Sequence, residues 1–547
     1  MLDVVVVGAG FAGLHLLHSL RGLGFKVQVI EAADDVGGVW TWNRYPGARC
    51  DVESLQYSYS FSKELEQQWV WTERYAAQPE ILRYIRHVAE RFDLRRDIRF
   101  NTSVASAHFD ADSDSWTLCT SQGSAQGTAQ GSALEDTVRA RFCIMATGAL
   151  SAARTPDIPG LADFCGQAHH TGQWPHEGVD FAGKNVAVIG TGSSGIQAIP
   201  VIAQQAAQLT VFQRTPNFTI PAWNTPLSDT AQAEFKAHYA EHRSRAREVG
   251  TLYDFNDRAA MQASADERQH EYETRWNKGG VNFMHAFNDL MVDKASNDTI
   301  AEFVRAKIRS IVHDPVTAEA LSPRSHPLGT KRICVDSGYY ATYNLPNVRL
   351  VDLRKTPIER ITATGIRTAA GEQTLDAIVF ATGYDALTGA LARIDIRGLA
   401  GQTLQGKWAH GPRTYLGLMT AGFPNLFIVT GPGSPSVLVN MIVGIEQHVE
   451  WITRCLLDLR TQGQTRIDAT VDAEDGWVAH VNAAANRTLF PLADSWFLGA
   501  NVPGKPRVFM PYVAKIGAYR QECDAAAEAG YKGFERTAAM QPVPPKT

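Results

Sequence analysis

VVVVGAGFAG, residues 4–13, is the stretch on which the reading turns. Four consecutive valines almost at the first residue make an apolar run of strand length. The run flows straight into glycines, so it is expected to be a buried strand and not a leader peptide. Gly8, Gly10 and Gly13 then stand in G-x-G-x-x-G spacing, and residues 2–31 read strand, glycine loop, helix, strand. Such glycines let backbone turn tightly and approach a pyrophosphate, which rests on the amides at the helix N-terminus. Glu31 closes the second strand, where a carboxylate accepts hydrogen bonds from ribose hydroxyls and repels a 2′-phosphate. A glycine-rich turn that merely packs helix on strand is the alternative. Strand, helix and Glu31 together favour a dinucleotide.

The same pattern recurs. Asn185–Ile189 (NVAVI) is a second strand, followed by Gly190, Thr191, Gly192, Ser193, Ser194 and Gly195 as a second G-x-G-x-x-G. Past the next apolar run, Leu209 to Gln213, stand Arg214 and Thr215. Here the ribose position carries a cation where the first unit carries Glu31. A guanidinium pairs with a 2′-phosphate. The first site is therefore expected to take FAD and the second NADPH in preference to NADH. The fold class expected is α/β, with two Rossmann-like dinucleotide-binding domains and a helical insertion.

Length and composition fit. At 547 residues the chain is too long for one ordinary core. Hydrophobic residues are 44% and charged residues 20%, with a formal net charge of −5 and a pI near 6.4. No basic face is implied, which argues against nucleic acid as a partner. No apolar run reaches the ~20 residues of a membrane span. The seven cysteines form no C-x-x-C, which argues against a disulfide framework, a zinc ribbon or a dithiol redox centre and suits the reducing cytoplasm. No metal site is expected.

Between the two glycine loops, residues 37–51 read GGVWTWNRYPGARCD. Gly37 and Gly38 let backbone pass close to a flat ligand, Trp40 offers a stacking face, and Asp51 closes the segment. Arg44, Arg49 and Asp51 are interleaved with the aromatics, which disfavours a plain core loop. Residues 79–92 are expected to be helical, and 98–109 and 115–120 to be strands. SQGSAQGTAQGSA, 121–133, is a low-complexity polar run expected to be a mobile hairpin loop. Phe142 to Gly148 reads as a buried strand ending in A-T-G. FCGQAHHTGQWP, 164–175, must join the two units, with an aromatic at each end as an anchor. His170 in it reads as a hydrogen-bonded structural residue with no chemistry assigned.

Beyond the second loop, residues 228–320 are sparse in glycine and dense in charge. Ser264-x-x-Glu267 is a capping box opening a helix that ends near Gly279-Gly280. Ile300, Phe303, Val304, Ile308, Ile311 and Val312 mark another helix face, stopped near Pro315. Lys331 and Arg332 are adjacent cations before an apolar stretch, a pattern that is more often a solvated face. Leu375 to Gly383 repeats the A-T-G ending. A long helix is expected over 436–460, with Met441 near its start. DSWFLGANVPGKPRVFMPY, 494–512, has the composition of a mobile loop over a cleft.

Two of these stretches carry a family resemblance. Phe164, Gly166, His170, Trp174 and Pro175 fit F-x-G-x-x-x-H-x-x-x-W-P, and residues 37–51 fit G-G-x-W-x-x-x-x-Y-P-G-x-x-x-D. Both resemble type I Baeyer–Villiger monooxygenases, and the resemblance runs through essentially the whole chain. It is nearest the phenylacetone and aryl-ketone branch, with the cyclohexanone branch also similar. It implies an FAD- and NADPH-dependent enzyme that inserts one oxygen atom of O2 beside a ketone carbonyl through a C4a-peroxyflavin, giving an ester or lactone, with sulfoxidation as a side activity. It implies that Arg332 is the catalytic arginine and Asp51 its partner. It implies that Lys331 meets the NADP phosphate and Trp496 meets NADP when the 494–512 loop closes. Gly38, Trp40, Tyr57, Val104 and Met441 are expected beside the flavin.

The resulting domain expectation is a first FAD-binding part over 1–148, a linker over 149–182, and a first NADPH-binding part over 183–222. The helical insertion follows over 223–322, the second NADPH-binding part over 323–382, and the second FAD-binding part over 383–547. Three rivals stand beside this reading. A flavin monooxygenase that oxidises nitrogen or sulfur shares both nucleotide folds but needs no Arg332. A pyridine nucleotide–disulfide reductase needs a cysteine pair. A non-enzymatic FAD/NADP(H) redox sensor leaves Asp51 and Arg332 without a purpose.

Overall fold

The structure is a computed structural model that describes residues 1–122 and 135–538. The larger sheet has eight strands. Leu2–Val7 pairs in parallel with Val27–Ile30 on one side and with the end of Glu135–Met145 on the other. Val4, Val5 and Val6 are completely buried, as an apolar run covered on both faces must be. Helix Phe11–Gly22 follows the first glycine loop and lays Leu14, Leu16, Leu17 and Leu20 against this sheet. The expected strands appear as Ile98–Arg99, Thr102–Asp110 and Ser115–Gln122. Ser115–Gln122 pairs antiparallel with Glu135–Met145. Of the 121–133 run, Ser121 and Gln122 extend that strand, and the rest lies outside the described residues.

The second sheet has five strands, all parallel, in the order Val348–Asp352, Gln208–Gln213, Asn185–Ile189, Ala377–Phe380 and Gln167–His170. The segment expected to join the two units thus also supplies an edge strand of the second sheet. Gln167 and Ala168 are exposed there and Trp174 is buried. A polar edge strand carries no apolar run to announce it. Tucked against this sheet is a small antiparallel sheet of Ile358–Thr362, Gly365–Thr368 and Gly371–Thr374.

The insertion is helical, as its composition requires. Its α-helices among the described residues are Asp229–Ala237, Tyr239–Val249, Ala265–Lys278, Lys294–Ile311 and Pro315–Leu321. The capping box at Ser264 and Glu267 forms in both directions, and Gly279 ends that helix. Such a cap contributes about 1 kcal/mol. The Lys294 helix stops at Ile311, and Pro315 starts the next one behind its Asp314 cap. Trp276, Phe283 and Phe303 bury their rings in one cluster with Val186 and Val211 of the second sheet. Each such ring contributes about 1.5–3 kcal/mol relative to exposure. Where the insertion leaves and returns, Thr219–Pro221 pairs in parallel with Cys334–Asp336. That pairing fixes the backbone just after Lys331 and Arg332.

Candidate active site

Both glycine loops are shaped to receive phosphates. At Gly8 (φ +107°) an added Cβ would lie 2.6 Å from the Ala146 carbonyl oxygen, and at Gly13 it would lie 1.8 Å from that of Gly8. Gly190 and Gly195 repeat this, at 2.4 Å from the Ala381 oxygen and 2.3 Å from the Gly190 oxygen. The central glycines differ: an added Cβ at Gly192 meets nothing within 4 Å, and Gly10 faces only Gly38. Gly10 and Gly192 are also the N-caps of their helices, and neither supplies a side-chain cap. The first-turn amides therefore stay available to an anion. This is how the residues present fit two dinucleotides. Glu31 is buried, and its carboxylate accepts from the Ala9 amide at 2.6 Å and the Ala33 amide at 2.8 Å. Burial pushes its carboxyl above the ordinary value, and those amides pull it back.

Around the first loop, Gly38 takes φ +57° and caps a short helix, Val39–Trp42, so that Trp40 is buried against Tyr57. The Trp40 indole N–H donates to the Tyr57 hydroxyl at 3.2 Å. Met441 opens the long helix Met441–Thr461 behind its Asn440 cap; the expected start at 436 is instead a single 3-10 turn, Ser436–Leu438. Val104 lies half-buried at a bulge in Thr102–Asp110.

Asp51 and Arg332 come together. The Arg332 Nε donates to Asp51 Oδ2 at 3.4 Å, and its Nη1 donates to the Val437 carbonyl at 2.8 Å. The Asp51 side chain is 8% exposed and that of Arg332 is 33% exposed. The cation therefore faces open space on one side and its counter-ion is shut away. Burial pushes the Asp51 carboxyl up, and Arg332 only partly offsets this. Burial works against the guanidinium's charge, but Asp51 together with Cys334 and Cys50 offsets it, and Arg332 ends above its ordinary value.

The second loop stands beside this pair. Ser193 Oγ is 3.2 Å from Cys334 Sγ, two residues after Arg332. Thr191 Oγ1 donates to the Thr215 carbonyl at 3.1 Å, tying the loop to the strand end that carries the exposed Arg214. The Lys331 ammonium donates to the Asp494 carbonyl at 2.5 Å. Burial, and then the neighbouring Arg214, hold Lys331 below its ordinary pKa. A partly buried ammonium beside a second cation forms a site that an anion relieves.

Sequence reasoning missed two participants. Gln197, on helix Ser193–Ala203, places Nε2 at 3.5 Å from Asp51 Oδ1 and takes the Tyr45 hydroxyl on Oε1 at 2.8 Å. A glutamine after a glycine motif carries no signature of its own. Val437 acts through its backbone oxygen, which the sequence does not write. The 494–512 segment, expected to be mobile, is tethered here. Phe497, Phe509 and Met510 are buried, Trp496 packs on Phe497 at 4.3 Å, and Lys505 donates to Asp385 at 2.5 Å. His170 is a hydrogen-bonded structural residue. Its Nδ1 accepts from the Gly172 amide at 3.0 Å, and burial lowers its pKa to about 4.

Comparison with known proteins agrees with this arrangement. A sequence profile of the pyridine nucleotide-disulphide oxidoreductase family matches residues 2–249. All seven cysteines are free, and none stands in the C-x-x-C spacing of a dithiol centre. A Baeyer–Villiger monooxygenase of Pseudooceanicola batsensis is 41% identical over 547 residues, covering 99% of this chain and 97% of that one. A phenazine N-monooxygenase of Lysobacter antibioticus is 42% identical over 538 residues, covering 97% and 96%. The solved structure of an oxidized steroid monooxygenase bound to NADP superposes with a TM-score of 0.92 at 52% identity, covering 98% of this chain and 99% of that one. With full-length relatives at this identity and an arginine–carboxylate pair set between two dinucleotide cradles, the chain belongs to the Baeyer–Villiger monooxygenase family.

Proposed function

We propose that this protein converts a ketone to an ester or lactone, using O2 and NADPH, with FAD on the first glycine loop and NADPH on the second. The balance is ketone plus O2, NADPH and a proton giving ester, water and NADP+. Bound flavin supplies electrons from NADPH to O2 and presents the activated oxygen. The chain's own residues supply position and field. Gly8, Gly10 and Gly13 cradle the FAD pyrophosphate, and Glu31 excludes a 2′-phosphate. Gly190 to Gly195 cradle that of NADPH, and Arg214, Thr215 and Lys331 hold its 2′-phosphate. Trp40, Tyr57, Val104 and Met441 shape the flavin's surroundings, and Trp496 shields the nicotinamide side.

Arg332 carries the chemistry. Its permanent charge keeps an attacking oxygen anionic and stabilises the tetrahedral oxyanion that follows. Arginine cannot lose its proton at working pH, and its planar fork serves two oxygens. Asp51 holds that guanidinium in place. The observation behind this reading is the half-open Arg332 beside the buried Asp51. No helix among the described residues is long and apolar enough to cross a membrane, and we place the enzyme in the cytoplasm. Sulfoxidation is a side activity of the same site. The domain boundaries expected from the sequence are retained as the proposal.

The test is a ketone panel with FAD-loaded protein, NADPH and 18O2, followed by mass spectrometry. One 18O atom in an ester is expected. NADPH consumption without oxygenated product across the panel would overturn the reading. A second reading, oxygenation of a heteroaromatic nitrogen, is favoured by the phenazine N-monooxygenase relative. Including phenazines in the panel separates the two.

A further inference from the structure

The Arg332 guanidinium is held at its tip by Asp51 and the Val437 carbonyl. Its backbone is held separately, by Asn217 and Cys334. Asn217 follows the Arg214–Thr215 turn. Its Nδ2 donates to the Arg332 carbonyl at 3.2 Å and to Cys334 Sγ at 3.3 Å. Its Oδ1 accepts from the Phe218 amide at 3.0 Å. That contact fixes which way the side-chain amide points, and its two N–H bonds match the two acceptors left. The thiol closes the triangle, with Cys334 Sγ 3.6 Å from the Arg332 carbonyl oxygen. Cys334 is 1% exposed, and burial pushes its thiol up to about 12, so it stays protonated and able to donate. Among the described residues the Arg332 carbonyl has no other hydrogen-bond partner.

Both partners also reach the second cradle. Cys334 Sγ lies 3.2 Å from the hydroxyl of Ser193, the first residue of helix Ser193–Ala203. Asn217 continues the turn that carries Arg214, and the Thr215 carbonyl in that turn accepts from Thr191 of the glycine loop. The backbone here is pinned as well. The Tyr340 hydroxyl donates to the Asn217 carbonyl at 3.3 Å, and the Cys334 amide donates to the Phe218 carbonyl at 3.3 Å. The glycine loop and the Arg214 turn therefore converge on one carbonyl, that of the residue proposed above to supply the charge.

We propose that Asn217 and Cys334 are positioning residues that transmit the seating of a dinucleotide on the second glycine loop to the Arg332 backbone, a role that rests on the two-cofactor function proposed above. A ligand that fixes Ser193 fixes the Cys334 thiol, and one that fixes the Arg214 turn fixes the Asn217 amide. Both then hold the root of the guanidinium, while Asp51 and Val437 hold its tip. By linkage, a backbone steadied by the ligand must in turn favour the ligand.

Hydrogen exchange of the peptide 330–336 in FAD-loaded protein, with and without NADP+, tests this. In wild type, NADP+ should slow exchange there. Asn217→Ala and Cys334→Ala should each reduce that slowing, and raise the NADP+ dissociation constant read from flavin absorbance, by roughly 3- to 10-fold, the worth of one buried hydrogen bond. A purely structural role would speed exchange in the free protein and leave the NADP+-induced ratio intact. A wild-type ratio in either variant overturns the proposal. If one variant does not retain FAD, the other decides alone. A wild type that binds NADP+ without slowed exchange also overturns it. A wild type that binds no NADP+ refutes the two-cofactor reading and this proposal with it. No ketone enters the measurement, so a wild type that binds NADP+ but makes no ester refutes the oxygenation reading without touching this one.

Discussion

Arg332 Nε meets Asp51 Oδ2 at 3.4 Å across 281 residues of sequence. The carboxylate closes an aromatic segment beside the first glycine loop, and the guanidinium sits at the neck of the insertion in the second unit. Neither element alone holds a charge in place, and the contact exists only when both sheets have formed.

Arg332→Ala should still take up electrons from NADPH and yield no ester. Loss of the charge costs about 3–4 kcal/mol of barrier, by analogy with other oxyanion donors, or roughly 10²- to 10³-fold. NADPH oxidation and ester formation followed together on one sample check this, and ester at near wild-type rate removes Arg332 from the mechanism.

The same pair predicts a pH effect on stability. Burial already raises the Asp51 carboxyl, and Arg332 is what restrains it. A carboxyl raised on folding contributes stability that is present below its unfolded value and lost as pH rises through its folded value. Arg332→Ala raises the folded value further and extends that loss upward. Its deficit in urea midpoint against wild type should be larger at pH 8 than at pH 5, and adding Asp51→Asn should flatten the difference. Equal deficits at both pH values would show that the two charges are not coupled.

Asp51→Ala should retain FAD and lose most oxygenation, because Arg332 then keeps only the Val437 carbonyl to hold it. The flavin spectrum and the ester yield of one preparation report both halves. Unchanged turnover would mean that Val437 alone positions the guanidinium.

Arg214→Ala should lower the preference for NADPH over NADH by roughly 10- to 100-fold, in line with a charge-assisted hydrogen bond of about 1.5–3 kcal/mol. Steady-state kcat/KM for the two coenzymes measures it. A preserved ratio would move the 2′-phosphate site elsewhere.

On the proposal that the 494–512 segment shields the site from water, Trp496→Ala should raise NADPH oxidation that yields hydrogen peroxide rather than ester. The ratio of ester to NADPH is the readout, and a constant ratio counts against the role.

What the sequence discloses here is what is local. Each glycine loop turns within six residues, and Glu31 or Arg214 follows at the end of the next strand, so both cradles are legible by spacing. The Ser264–Glu267 box and the Gly279 stop are equally local. Gln167–His170 was not, because an exposed polar edge strand has no periodicity to read. Gln197 was not, because its importance lies in a partner more than a hundred residues away. Val437 was not, because a carbonyl oxygen is common to every residue. Asp51 and Arg332 are joined in the sequence only by a family resemblance, since no pattern in the chain alone pairs them.

The neck formed by Thr219–Pro221 and Cys334–Asp336 brings the two ends of the insertion side by side. A segment whose entry and exit are neighbours can be transplanted between homologues as a cassette without altering the strand order of its host. Cut just outside the neck, such a graft would carry the donor's Arg332 equivalent along with its helices. Cut further in, before Lys331, it would leave the recipient's guanidinium in place. Chimeras of the two designs would therefore separate what the helices contribute to ketone choice from what the cation contributes to turnover.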